Sequence, residues 1–195
     1  MNRLISLSLA AAAFLLALPG LAAVEVAGVK FEDKAKLGAA EPQLNGAGLR
    51  SRAFFKVYTI GLYLPEKKST TDAVLALNGA KRLHIVTLRE LTAEQFADAL
   101  ISSLEKNHSE AELAPLKARV EEFRAAILAL VSVGKGAVVT LDYLPESGTR
   151  LSVGGQARGK DIAGEDFYRA LLKIWLGSKP AQDDLKELLL GKPPQ

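Results

Sequence analysis

The sequence predicts an α+β fold, and three observations carry that expectation. Strand-like segments rich in aromatic and β-branched residues lie early in the chain, at 53–64 and 82–88. Others return late, at 136–144 and 150–155, joined by a short turn cluster that suits an antiparallel hairpin. Helical periodicity fills the middle of the chain and closes it.

The first 22 residues read as a leader. Met1, Asn2 and Arg3 make a short basic start, 4–18 carry no charge, and Pro19 and Gly20 break the run. Gly20, Leu21 and Ala22 then form a small-x-small site, with the cut expected after Ala22. A bilayer-spanning helix needs about 20 apolar residues, and this run is broken by Pro19 and Gly20, which favours removal over the competing reading of a retained N-terminal anchor. The expectation is therefore a periplasmic or otherwise exported protein with no stable membrane span after leader removal, and one domain over 23–195. The chain has no cysteine, which excludes lipid attachment at the cut, disulfides and thiol chemistry. His84 and His108 lack ligand spacing, so neither a metal nor a cofactor is expected. Basic and acidic residues are interspersed at a formal net charge of +3, and no nucleic-acid footprint emerges.

The elements follow in order. A small hairpin is expected over 24–31 around Ala27 and Gly28. Asn45, Gly46, Ala47 and Gly48 form a turn cluster before the strand 53–64, which is apolar on both faces and ends at Pro65. A short helix at 70–77 precedes the strand 82–88, with Leu83, Ile85 and Thr87 on one face. Thr92 and Gln95 form a capping box, after which Phe96, Leu100 and Leu104 recur on one apolar face. A longer helix over 114–131 buries Leu116, Val120, Phe123, Ile127 and Leu130, leaving Glu121 and Glu122 in solvent. Strands at 136–144 and 150–155 flank a turn at 145–148, and 156–160 extends that sheet. A helix at 165–176, stopped by Gly177 at its C′ position, and another at 182–190, ended by Gly191, complete the chain. Trp175, on the apolar face of the first of these, reads as core rather than as a ligand stacker. Gly134, Lys135 and Gly136 read as a turn, not a phosphate loop, and no serine sits in a nucleophile-elbow context.

Asn45 to Arg50 followed by Lys56 to Leu64, then Leu91 to Phe96, then Phe167 to Gly177 with Pro180, resemble in order and spacing the chalcone isomerase superfamily. The ending Trp175, Leu176, Gly177 is similar to its exported bacterial branch. The resemblance implies an open-faced β-sandwich: a long antiparallel sheet covered by helices on one face, with a ligand cleft between the two layers.

The enzymes of that family add a phenolate oxygen to an enone and need a cation together with donors for the developing enolate. By the resemblance Arg50 holds the place of their arginine and Tyr58 that of a threonine. Phe96 replaces the tyrosine that polarises the ketone, while a lysine and an asparagine fall on Ala99 and Ser103, and a hydroxyl residue falls near Ile174. Losing one oxyanion donor costs roughly 10²- to 10³-fold in rate, so the ring-closing activity is not expected. Arg50 and Tyr58 instead resemble the anchor of the fatty-acid-binding branch, with Phe96, Leu100 and Ile174 lining the apolar part. The partner so implied is a small apolar ligand such as a fatty acid.

Eight residues on one unbroken strand span about 26 Å, so Arg50 and Tyr58 share a ligand only if the chain folds back between Ser51 and Phe55. Two other readings stay open. One is an intramolecular lyase or isomerase with Arg50 as electrophile and Tyr58 as proton donor; the other is an envelope interaction protein whose cleft is filled by its own side chains. The plain alternative makes Arg50 a sheet-edge ion-pair partner, and Tyr58 and Tyr63 ordinary core aromatics.

Overall fold

The computed structural model describes residues 23–193; the expected leader with its cut after Ala22, and the last two residues, lie outside the described residues. The chain opens with β1 (Val24–Val26) and β2 (Val29–Phe31), joined where Ala27 and Gly28 both take positive φ, as a two-residue hairpin loop requires. Next come β3 (Gln43–Arg52), β4 (Phe55–Leu64), α1 (Thr71–Ala76) and β5 (Lys81–Thr87). The middle holds β6 (Leu91–Thr92), α2 (Ala93–Lys106), α3 (Glu110–Leu113), a 3₁₀ turn (Ala114–Leu116), α4 (Lys117–Leu128) and β7 (Ser132–Val133). A meander of β8 (Val138–Leu144), β9 (Gly148–Val153) and β10 (Gln156–Ile162) leads to α5 (Glu165–Leu176) and α6 (Asp183–Leu189).

Six strands form one antiparallel sheet in the order β10-β9-β8-β5-β4-β3. Alternation along the strands sends Ile60, Leu62, Leu83, Ile85, Val139 and Leu141 to one face, where they pack with the helical layer in a single core. The other face is covered in two places: Phe31, from the first hairpin, lies over Gly61 beside Leu44 and Tyr63, and Leu37 packs with Ala80 and Leu144. The Phe31 cover is why β4 is buried on both faces from Thr59 to Leu64; the expected strand start at 53 is instead a turn, and Phe54 and Phe55 are exposed rather than buried. The capping box on α2 is present, with the Gln95 amide N–H donating to the Thr92 hydroxyl and the Gln95 side chain accepting from the Thr92 N–H.

Three further expectations are corrected. The cluster Asn45 to Gly48 is not a turn but the interior of β3. Its glycines are there because α6 crosses the strand: a Cβ on Gly46 would lie 2.0 Å from the Leu188 carbonyl oxygen, and one on Gly48 would lie 2.6 Å from Leu185 Cδ1. Asn45 occupies a bulge, since Leu44 pairs with Tyr63 and Gly46 with Leu62. Its amide donates to Leu189 O (2.7 Å) and Lys68 O (2.9 Å) and accepts from Lys68 N (2.7 Å), tying the bulge to both neighbours.

The helix expected over 114–131 is shorter and starts differently. Pro115 holds a 3₁₀ turn, α4 begins only at Lys117, and an unforeseen single-turn α3 precedes it on a Ser109/Glu112 capping box. At the far end Val131 takes a φ of 64° and Ser132 and Val133 leave to pair with Thr92 and Leu91. Finally, Gly177 is not a left-handed C′ residue; its φ is −70°. Glycine is required there because a Cβ would sit 2.2 Å from Asn107 Oδ1, a side chain that binds both Lys179 N and Lys179 O. Among the described residues no helix is long and apolar enough to cross a membrane.

Candidate functional site

The chain folds back within the window that the spacing argument demands. Arg52 pairs with Phe55, Ala53 takes a φ of 51°, and Arg50 and Tyr58 become direct cross-strand partners. Directly opposed residues hold their Cβ atoms about 5 Å apart, in place of the roughly 26 Å of an unbroken strand. The register then shifts, Ser51 pairing with Lys56, so that Val57 is the extra residue of a bulge beside the pair. Tyr58 shares its face with Ile60 and Leu62 and packs against the main core, so the pair looks toward the helices.

Two residues from the end of the chain complete the arrangement. Trp175 Nε1 donates to the Tyr58 hydroxyl at 2.9 Å. Burial pushes the Tyr58 phenol above its ordinary value, against the opposing pull of the Trp175 hydrogen bond and the Arg50 cation. The hydroxyl therefore stays neutral near pH 7, and among the described residues nothing accepts its proton. Arg50 Nη1 donates to the Ser51 carbonyl and to Gln182 Oε1 (3.2 Å). Gln182 is itself clamped to the edge strand, accepting from Ser51 N (2.8 Å) and donating to Leu49 O (3.2 Å). Arg50 makes no further hydrogen bond within 3.5 Å among the described residues, and its remaining guanidinium donors lie beside the Tyr58 oxygen, whose phenol they pull downward. A guanidinium with free donors thus stands opposite a phenol with a free proton, a pairing suited to a carboxylate or a developing oxyanion.

Of the remaining candidates, Phe96 and Leu100 on α2 and Ile174 on α5 belong to the core that Tyr58 packs against, at 6%, 5% and 2% exposure. The space between sheet and helices at these positions is filled by the protein's own side chains. Ala99 is exposed to solvent on α2, outside the pocket position that the resemblance implies for it, and Ser103 is half-buried. Trp175 is core as expected, at 1% exposure, yet it also orients Tyr58. Arg50 makes no ion pair among the described residues, so its expected sheet-edge role with an acidic partner is not what holds it. Gln182 was legible only as a helix start, and no local pattern links it to a residue 132 positions away. Two surface clefts, of about 540 and 500 Å³, lie elsewhere: one around His108, Arg169 and Lys173, the other around Asp33, Asn45 and Lys67. His84 is on the open face, edge-on to Phe31 at 5.7 Å, away from Arg50 and Tyr58.

A model of the chalcone isomerase-like family matches residues 23–191. No curated protein matches the chain. Among solved structures it is similar to a fatty-acid binding protein of Arabidopsis thaliana, with a TM-score of 0.65 and 16% identity, over 86% of this chain and 95% of that one. At that identity the likeness is one of fold: an antiparallel sheet with helices on one face, as the sequence resemblance implies.

Proposed function

Since the chain belongs to the chalcone isomerase-like family, we propose that it is a non-catalytic binder of a small apolar carboxylate, such as a fatty acid, that acts after export. The observation that carries this reading is the opposition of Arg50 and Tyr58 across β3 and β4, each with hydrogen-bond donors to spare. Arginine suits the task because its planar fork can meet both oxygens of a carboxylate. Trp175 and Gln182 hold the two side chains in place, so little freedom is lost on binding. The apolar tail enters where Phe96, Leu100 and Ile174 now pack, exchanging contacts between helices and sheet for contacts with the ligand. Export rests on the leader pattern of residues 1–22, and the family match that begins at residue 23 is consistent with removal of that segment.

The burial of Phe96, Leu100 and Ile174 also favours a second reading, an envelope interaction protein whose cleft is permanently filled. Native mass spectrometry on wild type and Arg50→Ala, recovered by osmotic shock, separates the two. The binder reading expects a chain beginning at Ala23 with a stoichiometric, solvent-extractable carboxylate. Arg50→Ala is expected to weaken binding about 10- to 100-fold, because hydrogen bonds to charged groups contribute roughly 1.5–3 kcal/mol. A wild type that stays empty when titrated with oleate leaves the filled-cleft reading standing. Turnover of an enone panel by wild type, lost in Arg50→Ala, makes the protein a lyase or isomerase instead, with Tyr58 as proton donor.

A further inference from the structure

The tip of the β3–β4 hairpin carries two adjacent aromatics that lie outside the hydrophobic core. Phe54 is 99% exposed and Phe55 63%, and positive φ at Ala53 puts them at the apex. Both flanking residues, Arg52 and Lys56, are exposed cations. Leu88 N donates to Val57 O, which holds the segment after β5 against the base of the hairpin, where the Arg89 guanidinium lies 5.6 Å from the Phe55 ring. Gly136 N donates to Thr87 O, bringing Lys135 to the same end of the sheet. Arg52, Lys56, Arg89 and Lys135 form no ion pair among the described residues, and Glu90 is the only carboxylate in residues 52–56, 88–90 and 134–137.

Two exposed phenylalanines ringed by unpaired cations fit a particular surface. A phenyl ring buries about 150–250 Å², so the tip offers well under the roughly 800 Å² per partner of a stable protein interface. It also projects as a knob instead of lining a groove. Insertion to the boundary between headgroups and acyl chains, by contrast, needs only a short apolar projection of about 5–10 Å with cations at headgroup level. We propose that this hairpin tip docks the protein on anionic lipid bilayers, Phe54 and Phe55 entering the interface while Arg52, Lys56, Arg89 and Lys135 meet the headgroups. Arg50 and Tyr58 then stand a few residues in from the bilayer surface, one on each strand. Docking is independent of what, if anything, that pair binds.

Phe54→Trp places an indole at the apex, against a background in which the one native tryptophan, Trp175, is buried. With vesicles of equal phosphatidylglycerol and phosphatidylcholine, the introduced indole's emission is expected to shift to the blue and to be quenched by brominated lipid. Arg52→Glu with Lys56→Glu on the same background is expected to lower partitioning more than about tenfold. Transfer to 1 M salt, where the screening length is about 3 Å, is expected to do the same. An unchanged near-UV signal from Trp175 certifies the fold of each variant. The proposal is overturned by an emission that ignores the vesicles, by equal partitioning onto phosphatidylcholine alone, or by insensitivity to the charge reversals. A blue shift that grows with protein concentration without lipid also overturns it, assigning the tip to a second copy of the chain.

Discussion

Trp175 holds the Tyr58 hydroxyl from behind, and the strength of that contact is measurable. The indole N–H is buried at 1% exposure with the Tyr58 oxygen, 2.9 Å away, as its acceptor. Tyr58→Phe removes the acceptor and leaves the N–H unpaired, which costs about 1–3 kcal/mol. Urea unfolding followed by Trp175 emission is expected to show a lower midpoint at unchanged slope. A midpoint equal to that of wild type would mean that the hydroxyl is not the partner that matters. Arg50 and Tyr58 were singled out by the family resemblance, and their spacing supplied the condition under which they meet. Trp175 and Gln182 were not, as partners, because hydrogen bonds spanning 117 and 132 residues leave no periodicity behind.

At the scale of elements, β3 and α6 show how a crossing helix overrides local turn chemistry. Asn45 to Gly48 has the residues of a turn, yet it runs extended because α6 needs strand backbone without side chains beneath it. Gly46→Ala forces a Cβ against the Leu188 carbonyl, and Gly134→Ala, where nothing lies within 4 Å, is its control. Overpacking costs about 1–3 kcal/mol, so Gly46→Ala is expected to unfold at clearly lower denaturant while Gly134→Ala matches or slightly exceeds wild type. Equal midpoints would show that α6 yields without cost. Helix starts marked by side chains, at Thr70 and Thr92, fell within a residue of their expected places. Helix α4 did not, because its entry depends on Pro115 and its exit on the β6–β7 pairing, a contact between distant segments.

For the molecule as a whole, the perturbed groups act on stability in one direction as pH falls. Burial on the open face, beside Phe31 and Tyr63, holds the His84 imidazole below 6.5, and the Arg82 cation adds to this against the opposing Asp142. The unfolded chain therefore takes up that proton first, and stability declines as pH drops through 6.5. Arg150 holds Asp161 below 3.8 and Arg119 does the same to Asp166, while hydrogen bonds at Ser109, with Lys173 nearby, bring Glu112 down to about 2. Their contributions are complete above about pH 4.5 and fade as pH falls toward the folded values. Thermal unfolding is thus expected to move down between pH 7.5 and 5.5, by less in His84→Gln than in wild type, and further in both below pH 4. An equal early drop in the two proteins would remove His84 as its source.

Local chemistry was enough to determine the α+β class, most element positions and the family resemblance, because strand alternation, helix periodicity and caps are set by neighbours within a few residues. The sequence also pointed to Arg50 and Tyr58 and named the fold-back that would unite them. The tertiary structure alone decided which glycines serve a crossing helix and that Trp175 and Gln182 brace the pair. It alone packed Phe96, Leu100 and Ile174 into closed core and left Phe54 and Phe55 outside it. Those outcomes depend on which distant surfaces come to face each other, and that is a property of packing rather than of any local pattern.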